Sequence, residues 1–151
     1  MSLADRIEEH WVALDLAVDD QAALFTWVAE RMAASGFISD PVAAADKLLE
    51  REKIVSTAIC PGVAVPHARC NDARGVGLCV VRLAQGMDFG ARDGEPVRLV
   101  FALLGPPEAT AEHVKVLGEI ARLIRDRARL GALMKAASPE ELVEVLRTAS
   151  A

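Results

Sequence analysis

The segment Val97-Arg98-Leu99-Val100-Phe101-Ala102-Leu103-Leu104 restricts the fold of this chain more than any other. It is a nearly continuous apolar run, and Gly105-Pro106-Pro107 stops it. A short run of this composition between turn formers reads as a β-strand, and a strand apolar at successive positions is buried on both faces. Such a strand needs a layer on each side. The rest of the chain supplies those layers and further strands.

Asp19 and Asp20 offer N-caps for a helix over Gln21 to Ser35, which places Leu24, Trp27, Val28 and Met32 on one face and ends before Gly36. Asp40-Pro41 repeats the start signal, a cap followed by proline at the first helical position. The second helix carries Val42, Ala45, Leu48 and Leu49 inward and ends near Glu50 or Arg51. Helical spacing returns from Thr110, with Val114, Leu117, Ile120, Ala121 and Ile124, and Ser138-Pro139-Glu140-Glu141 is a capping-box start for a last helix through Arg147. Leu3 to Trp11 reads as a short helix. Val12 to Val18, Ser56 to Ile59 leading into Gly62 to Pro66, and Val76 to Leu83 read as strands. Asn71 to Gly75 is a turn, and Gln85 to Gly94 is irregular with an Asp93-Gly94 hairpin signal.

This mixed order of elements predicts an α/β fold, a mixed β-sheet sandwiched by helices. The 151 residues, 52% of them hydrophobic, suffice for one sizeable core, and without a repeat, low-complexity stretch or linker they read as a single domain over residues 1–151. A net charge of -5 argues against nucleic acid or an anionic membrane surface as the main partner. No apolar stretch approaches the roughly 20 residues of a membrane span, and the start lacks a basic segment followed by an apolar one. A cytoplasmic protein without stable membrane insertion is expected. Its odd count of cysteines, Cys60, Cys70 and Cys79, agrees with a reducing compartment. The spacing of His67 and Cys70 is a weak metal signal without a second cluster, and no metal is expected.

The chemistry rests on a few polar side chains. In Gly62-Val63-Ala64-Val65-Pro66-His67 an extended run closes on a proline, which fixes its own φ and biases Val65 toward extended backbone, so His67 is held still at a strand end. Near pH 7 a histidine is largely neutral, with one ring nitrogen free as nucleophile, base or ligand. His113 falls in the first turn of the helix from Thr110. If Thr110 caps that helix, His113 is its third residue, where the dipole disfavours a proton. Arg51, just past the second helix, with Ser56 and Thr57 ahead of the strand, combines a guanidinium fork with hydroxyls, a set that binds phosphate. The competing reading puts Arg51 in the solvated run Glu50-Arg51-Glu52-Lys53. Arg122, Arg125, Arg127 and Arg129 form a basic helix face, and His10 has no catalytic role in this reading.

Taken together, Glu50-Arg51-Glu52 with Ser56-Thr57, Gly62 to His67, Phe101 to Leu104 and Glu112-His113-Val114-Lys115-Val116-Leu117 resemble the enzyme IIA domain of the fructose/mannitol type in the bacterial phosphoenolpyruvate-dependent phosphotransferase system, stand-alone nitrogen-regulatory members included. The resemblance runs from about Leu14 to Leu146. It implies a phosphocarrier with His67 as the phosphorylated residue, His113 as the second active-site histidine and Arg51 as the phosphate-stabilising arginine, working without a cofactor. The implied donor is a histidine phosphocarrier protein, and the implied acceptor is an enzyme IIB or a regulatory target. The chain departs from the family pattern at Ala68, where glycine is common, and at Cys60-Pro61. With no permease, carrier or enzyme IIB domain fused to it, a regulatory role is the expectation. The alternative is an interaction module of the same fold that has lost the transfer.

Overall fold

The computed structural model describes residues 2–149. Among them, six strands form one sheet: β1 (Val12–Leu16), β2 (Ala58–Cys60), β3 (Val63–Ala64), β4 (His67–Arg69), β5 (Gly77–Met87) and β6 (Val97–Gly105). Five α-helices cover it: α1 (Gln21–Ala34), α2 (Pro41–Ile54), α3 (Thr110–Arg125), α4 (Arg127–Lys135) and α5 (Pro139–Ala149). The sheet order is β1-β5-β6-β3-β2, with β4 also pairing β6. The β5–β6 and β2–β3 pairs are antiparallel and the others parallel, so the sheet is mixed as expected.

β6 is the central strand that its composition demands. Val100, Ala102 and Leu104 face α1 and α2, packing with Leu24, Val28, Met32, Ala44 and Leu48. Leu99, Phe101 and Leu103 face the other way, against Val116, Ile120 and Leu123 of α3, Leu133 of α4 and Leu142 and Leu146 of α5. Both faces of the strand lose contact with water, which is the main favourable term in holding the layers together.

The local start signals are realised. Asp20 and Asp40 accept from Ala23 N–H and Ala43 N–H at 2.8 and 3.0 Å, and Ser138 accepts from Glu141 N–H at 3.1 Å. Other expectations fail for stated reasons. Only Ala4–Arg6 of the first segment is helical, as one 3₁₀ turn, because Arg6 is drawn inward to Glu112 and the Val76 carbonyl. β1 stops at Leu16, and α2 runs on to Ile54. β5 continues into the start of the stretch read as irregular, ending at Met87, which pairs with Val97, and the rest of that stretch up to Gly94 carries no strand. The basic series does not share one helix face: Asp126 ends α3 and caps α4 by accepting from Ala128 N–H and Arg129 N–H.

Candidate functional site

His67 opens a strand rather than closing one. Val63 and Ala64 pair with Leu99 and Val100 of β6, and pairing resumes at His67 opposite Leu103. Between them Pro66 has no N–H to give, and Val65 donates its own N–H to Thr57 O at 3.0 Å. Gly62, at φ +83°, makes the tight turn that returns the chain from β2 into β3. The alternation of a strand then sends Ala68 into the α1/α2 core and leaves His67 and Arg69 on the face toward α3. His67 is half-buried, and its Nδ1 stands 2.9 Å from Val65 O. A carbonyl only accepts, so Nδ1 carries the proton, and in the neutral ring Nε2 keeps the lone pair.

His113 is buried, 1% exposed, and neither ring nitrogen has a hydrogen-bond partner. Its place in the helix differs from expectation by one residue. Ala109 is the N-cap and accepts from His113 N–H, making His113 the fourth residue of α3; Thr110 instead donates its hydroxyl to Pro107 O at 3.2 Å. The ring lies on the end of β6 because residue 105 is glycine: a Cβ there would run into His113 Nε2 and stand 3.0 Å from Val76. Burial, helped by the nearby charges of Arg69 and His67, holds the His113 pKa below the ordinary histidine value. Glu112 and the Gly105 carbonyl oppose that shift, although the carbonyl reaches neither nitrogen with hydrogen-bond geometry.

Arg69 is the residue that sequence reasoning missed at this end of the site. Its Nη1 donates to Pro107 O at 2.9 Å and to Thr110 Oγ1 at 3.0 Å, which fixes a guanidinium beside the start of α3. The signal was the period of two from His67 in extended backbone.

On the other side, Arg51 donates Nη1 to Val55 O at 3.0 Å and closes the end of α2. Ser56 Oγ accepts from Ala58 N–H at 3.2 Å. Thr57 is buried, and both its N–H and its hydroxyl donate to the Glu52 carboxylate, at 2.7 and 2.8 Å. Its proton is therefore committed, which removes Thr57 as a free hydroxyl donor. Glu52, read in the sequence as part of a solvated charge run, is 6% exposed. Burial raises its pKa; the two bonds from Thr57 and the charges of Arg51 and His67 pull the other way. Glu52 thus lies within electrostatic reach of Arg51 and His67, and His113 within reach of Arg69 and His67.

The remaining candidates lie elsewhere. His10 is exposed at φ 72°, beside Glu9. Cys70 and Cys79 are buried, which pushes their thiols up, and Cys60 is half-buried. Among the described residues, no three His, Cys, Asp or Glu side chains are grouped to hold a metal ion, and no helix is long and apolar enough to cross a membrane.

A mixed sheet with helices on both faces, and a half-buried histidine of fixed tautomer beside a buried, unpartnered one, defines a histidine-centred α/β protein. Residues 6–149 match the model of the phosphoenolpyruvate-dependent sugar phosphotransferase system EIIA 2 family, and the chain belongs to that family. It is 31% identical over 133 residues to the fructose-specific EIIA component of Haloferax volcanii, covering 88% of this chain and 77% of that protein. It is 46% identical over 80 residues to the nitrogen regulatory protein of Bradyrhizobium diazoefficiens, a match to 53% of this chain that spans about half of that relative, 52%. Among solved structures, nitrogen regulatory protein IIA-Ntr from Neisseria meningitidis superposes with a TM-score of 0.88 at 29% identity, over 95% of this chain and 98% of that one.

Proposed function

We propose that this protein is a phosphohistidine carrier, taking a phosphoryl group on His67 from a histidine phosphocarrier protein and handing it to an enzyme IIB or a regulatory target. The observation that carries the reading is the pair of histidines: one exposed enough to react with its Nδ1 already occupied, the other buried with both nitrogens unspent. Family membership supports the same role.

In the forward step, His67 Nε2 attacks the phosphorus of the donor's phosphohistidine in line with the N–P bond that breaks. A new N–P bond forms, and the donor leaves as a neutral imidazole. The Nδ1 proton stays on His67, held by Val65 O. Neutral His113, its proton disfavoured by burial, donates one N–H to an equatorial oxygen. Arg51 and Ser56 contribute further contacts to the phosphoryl, while Thr57 shapes the segment that carries them. A neutral donor stabilises the transferring group without trapping it, so the second transfer proceeds by the same geometry in reverse. Both encounters are brief ones between two cytoplasmic proteins, across an interface of roughly 1,200 Å² or less.

The nitrogen regulatory relatives favour a regulatory acceptor over a sugar permease. Incubation with phosphoenolpyruvate, enzyme I and the histidine phosphocarrier tests the reading. An acid-labile label that maps to His67 is expected. An unlabelled protein beside an active carrier makes it an interaction module, and a label on His113 reverses the two histidines.

A further inference from the structure

Glu52 plays no part in the transfer as written, yet a carboxylate is costly to bury and this one is 6% exposed. Its two oxygens are spent on a single residue. Oε2 takes the N–H of Thr57 and Oε1 its hydroxyl, so Thr57 is gripped by main chain and side chain together. Thr57, 4% exposed, then presents its carbonyl to the N–H of Val65 at 3.0 Å. Val65, 3% exposed, turns its own carbonyl to Nδ1 of His67 at 2.9 Å.

The third link falls where the pairing with β6 is interrupted on its N–H side. Val63 and Ala64 are held by register with Leu99 and Val100, and His67 to Arg69 by register with Leu103 to Gly105; Val65 and Pro66 lie between. Pro66 has no N–H, and the N–H of Val65 goes to Thr57 rather than to β6. Val65 is therefore held between two bonds, its N–H to Thr57 O on one side and the Leu103 N–H to Pro66 O at 2.9 Å on the other, and the Thr57 bond is the one that fixes where its carbonyl starts from. We infer that Glu52 is a positioning residue which, through Thr57 and Val65, holds the proton of His67 on Nδ1 and aims Nε2 outward. Its carboxylate also lies within electrostatic reach of the ring, where it favours the positive charge that the imidazole acquires when Nε2 is phosphorylated and Nδ1 keeps its proton.

The effect on rate rests on the carrier function proposed above; the effect on the ring does not. The full chain labelled with ¹⁵N-histidine is measured by long-range ¹H–¹⁵N correlation near pH 8, about 1.5 units above the ordinary histidine pKa. Wild-type His67 is expected to show a protonated Nδ1 and a bare Nε2. Glu52→Ala releases Thr57 and shifts both nitrogens toward averaged values, with labelling slowed about tenfold, as when the outer partner of a functional imidazole is removed. Glu52→Gln, which still accepts from one Thr57 donor and can pair with the hydroxyl, recovers the wild-type nitrogen pattern and part of the rate, the charge of the carboxylate being lost. If Glu52→Ala does not fold, Glu52→Asp, a methylene short of both donors, takes its place. A folded Glu52→Ala or Glu52→Asp with wild-type His67 nitrogen shifts overturns the inference, as does a bare Nδ1 in the wild type. Failure of the carrier reading leaves every chain unlabelled while the nitrogen shifts still report on Glu52.

Discussion

Arg82 and His113, two of the buried basic side chains, are treated in opposite ways. Arg82 of β5, 7% exposed, spends its guanidinium completely: Nη1 donates to Leu133 O, Met134 O and Ala136 O at 3.2, 3.0 and 2.9 Å, capping the end of α4, and Nε faces Asp15 at 3.4 Å. His113, 1% exposed, spends neither ring nitrogen. A buried polar group without a partner costs on the order of 1–3 kcal/mol, and among the described side chains only Arg6 Nε shares that state with the two His113 nitrogens, on a guanidinium that otherwise bonds Glu112 and Val76 O. Arg82 is completed by the chain itself and is structural. His113 has no such completion among the described residues, and the carrier function proposed above would offer it an oxygen on phosphorylated His67.

Substitutions sharpen this contrast, beginning with the largest effect. His67→Ala should abolish phosphorylation altogether while thermal stability stays within about 0.5 kcal/mol, because a half-buried side chain at a strand start contributes little core. A full label on the variant would move the nucleophile elsewhere. Arg82→Met should cost about 3 kcal/mol in denaturant melts, since it strands three carbonyls at the end of α4, with the folded fraction still accepting phosphate at the normal rate. His113→Leu should do the reverse: stability rises by about 1 kcal/mol as two unpaired nitrogens disappear, and onward transfer slows about tenfold while His67 is still labelled. A loss of stability comparable to that of Arg82→Met would erase the distinction between the two sites.

The smallest effect is in the pH dependence. The folded-state pKa of His113 lies below its unfolded value near 6.5, so between those two values the unfolded chain binds more protons. The stability contribution of a neutral His113 is then fully present above about pH 6.5 and is lost as pH falls through the folded value, at no more than about 1.4 kcal/mol per pH unit. His113→Gln lacks this component, and the difference between its stability curve and that of the wild type isolates it. A difference that does not change between pH 7 and 5 would show that the ring takes up its proton as readily folded as unfolded.

Much of this architecture is written locally. Asp20, Asp40 with Pro41, and Ser138 start their helices by bonds that span three residues, so the signal and its effect lie in the same short stretch. The apolar run of β6 demanded cover on both faces, and the spacing of His67 and His113 within recognisable motifs marked them before any contact was known. Failures occurred where long-range partners decide. Arg6 unwinds the expected first helix because Glu112 lies beside it in space, 106 residues away in the chain. The end of β5 is set by its pairing with Val97, and Thr110 leaves the cap position because it bonds Pro107 and Arg69.

At the site, the sequence determined which groups were available: an imidazole after a proline, a second one early in a helix, an arginine and two hydroxyls ahead of the strand. Tertiary structure alone decided how each is used. Glu52 and Arg51 are adjacent in the same charged run, yet one is buried against Thr57 and the other closes a helix end at the surface, because helical rotation of about 100° per residue sends neighbours to different surroundings. Gly105 counts because His113 descends on it from α3, and Arg69 because β4 pairs in a register that sets it beside that same helix start. Hydrogen bonds and burial depend on distances between segments remote in sequence, and those distances exist only once the sheet has closed around β6.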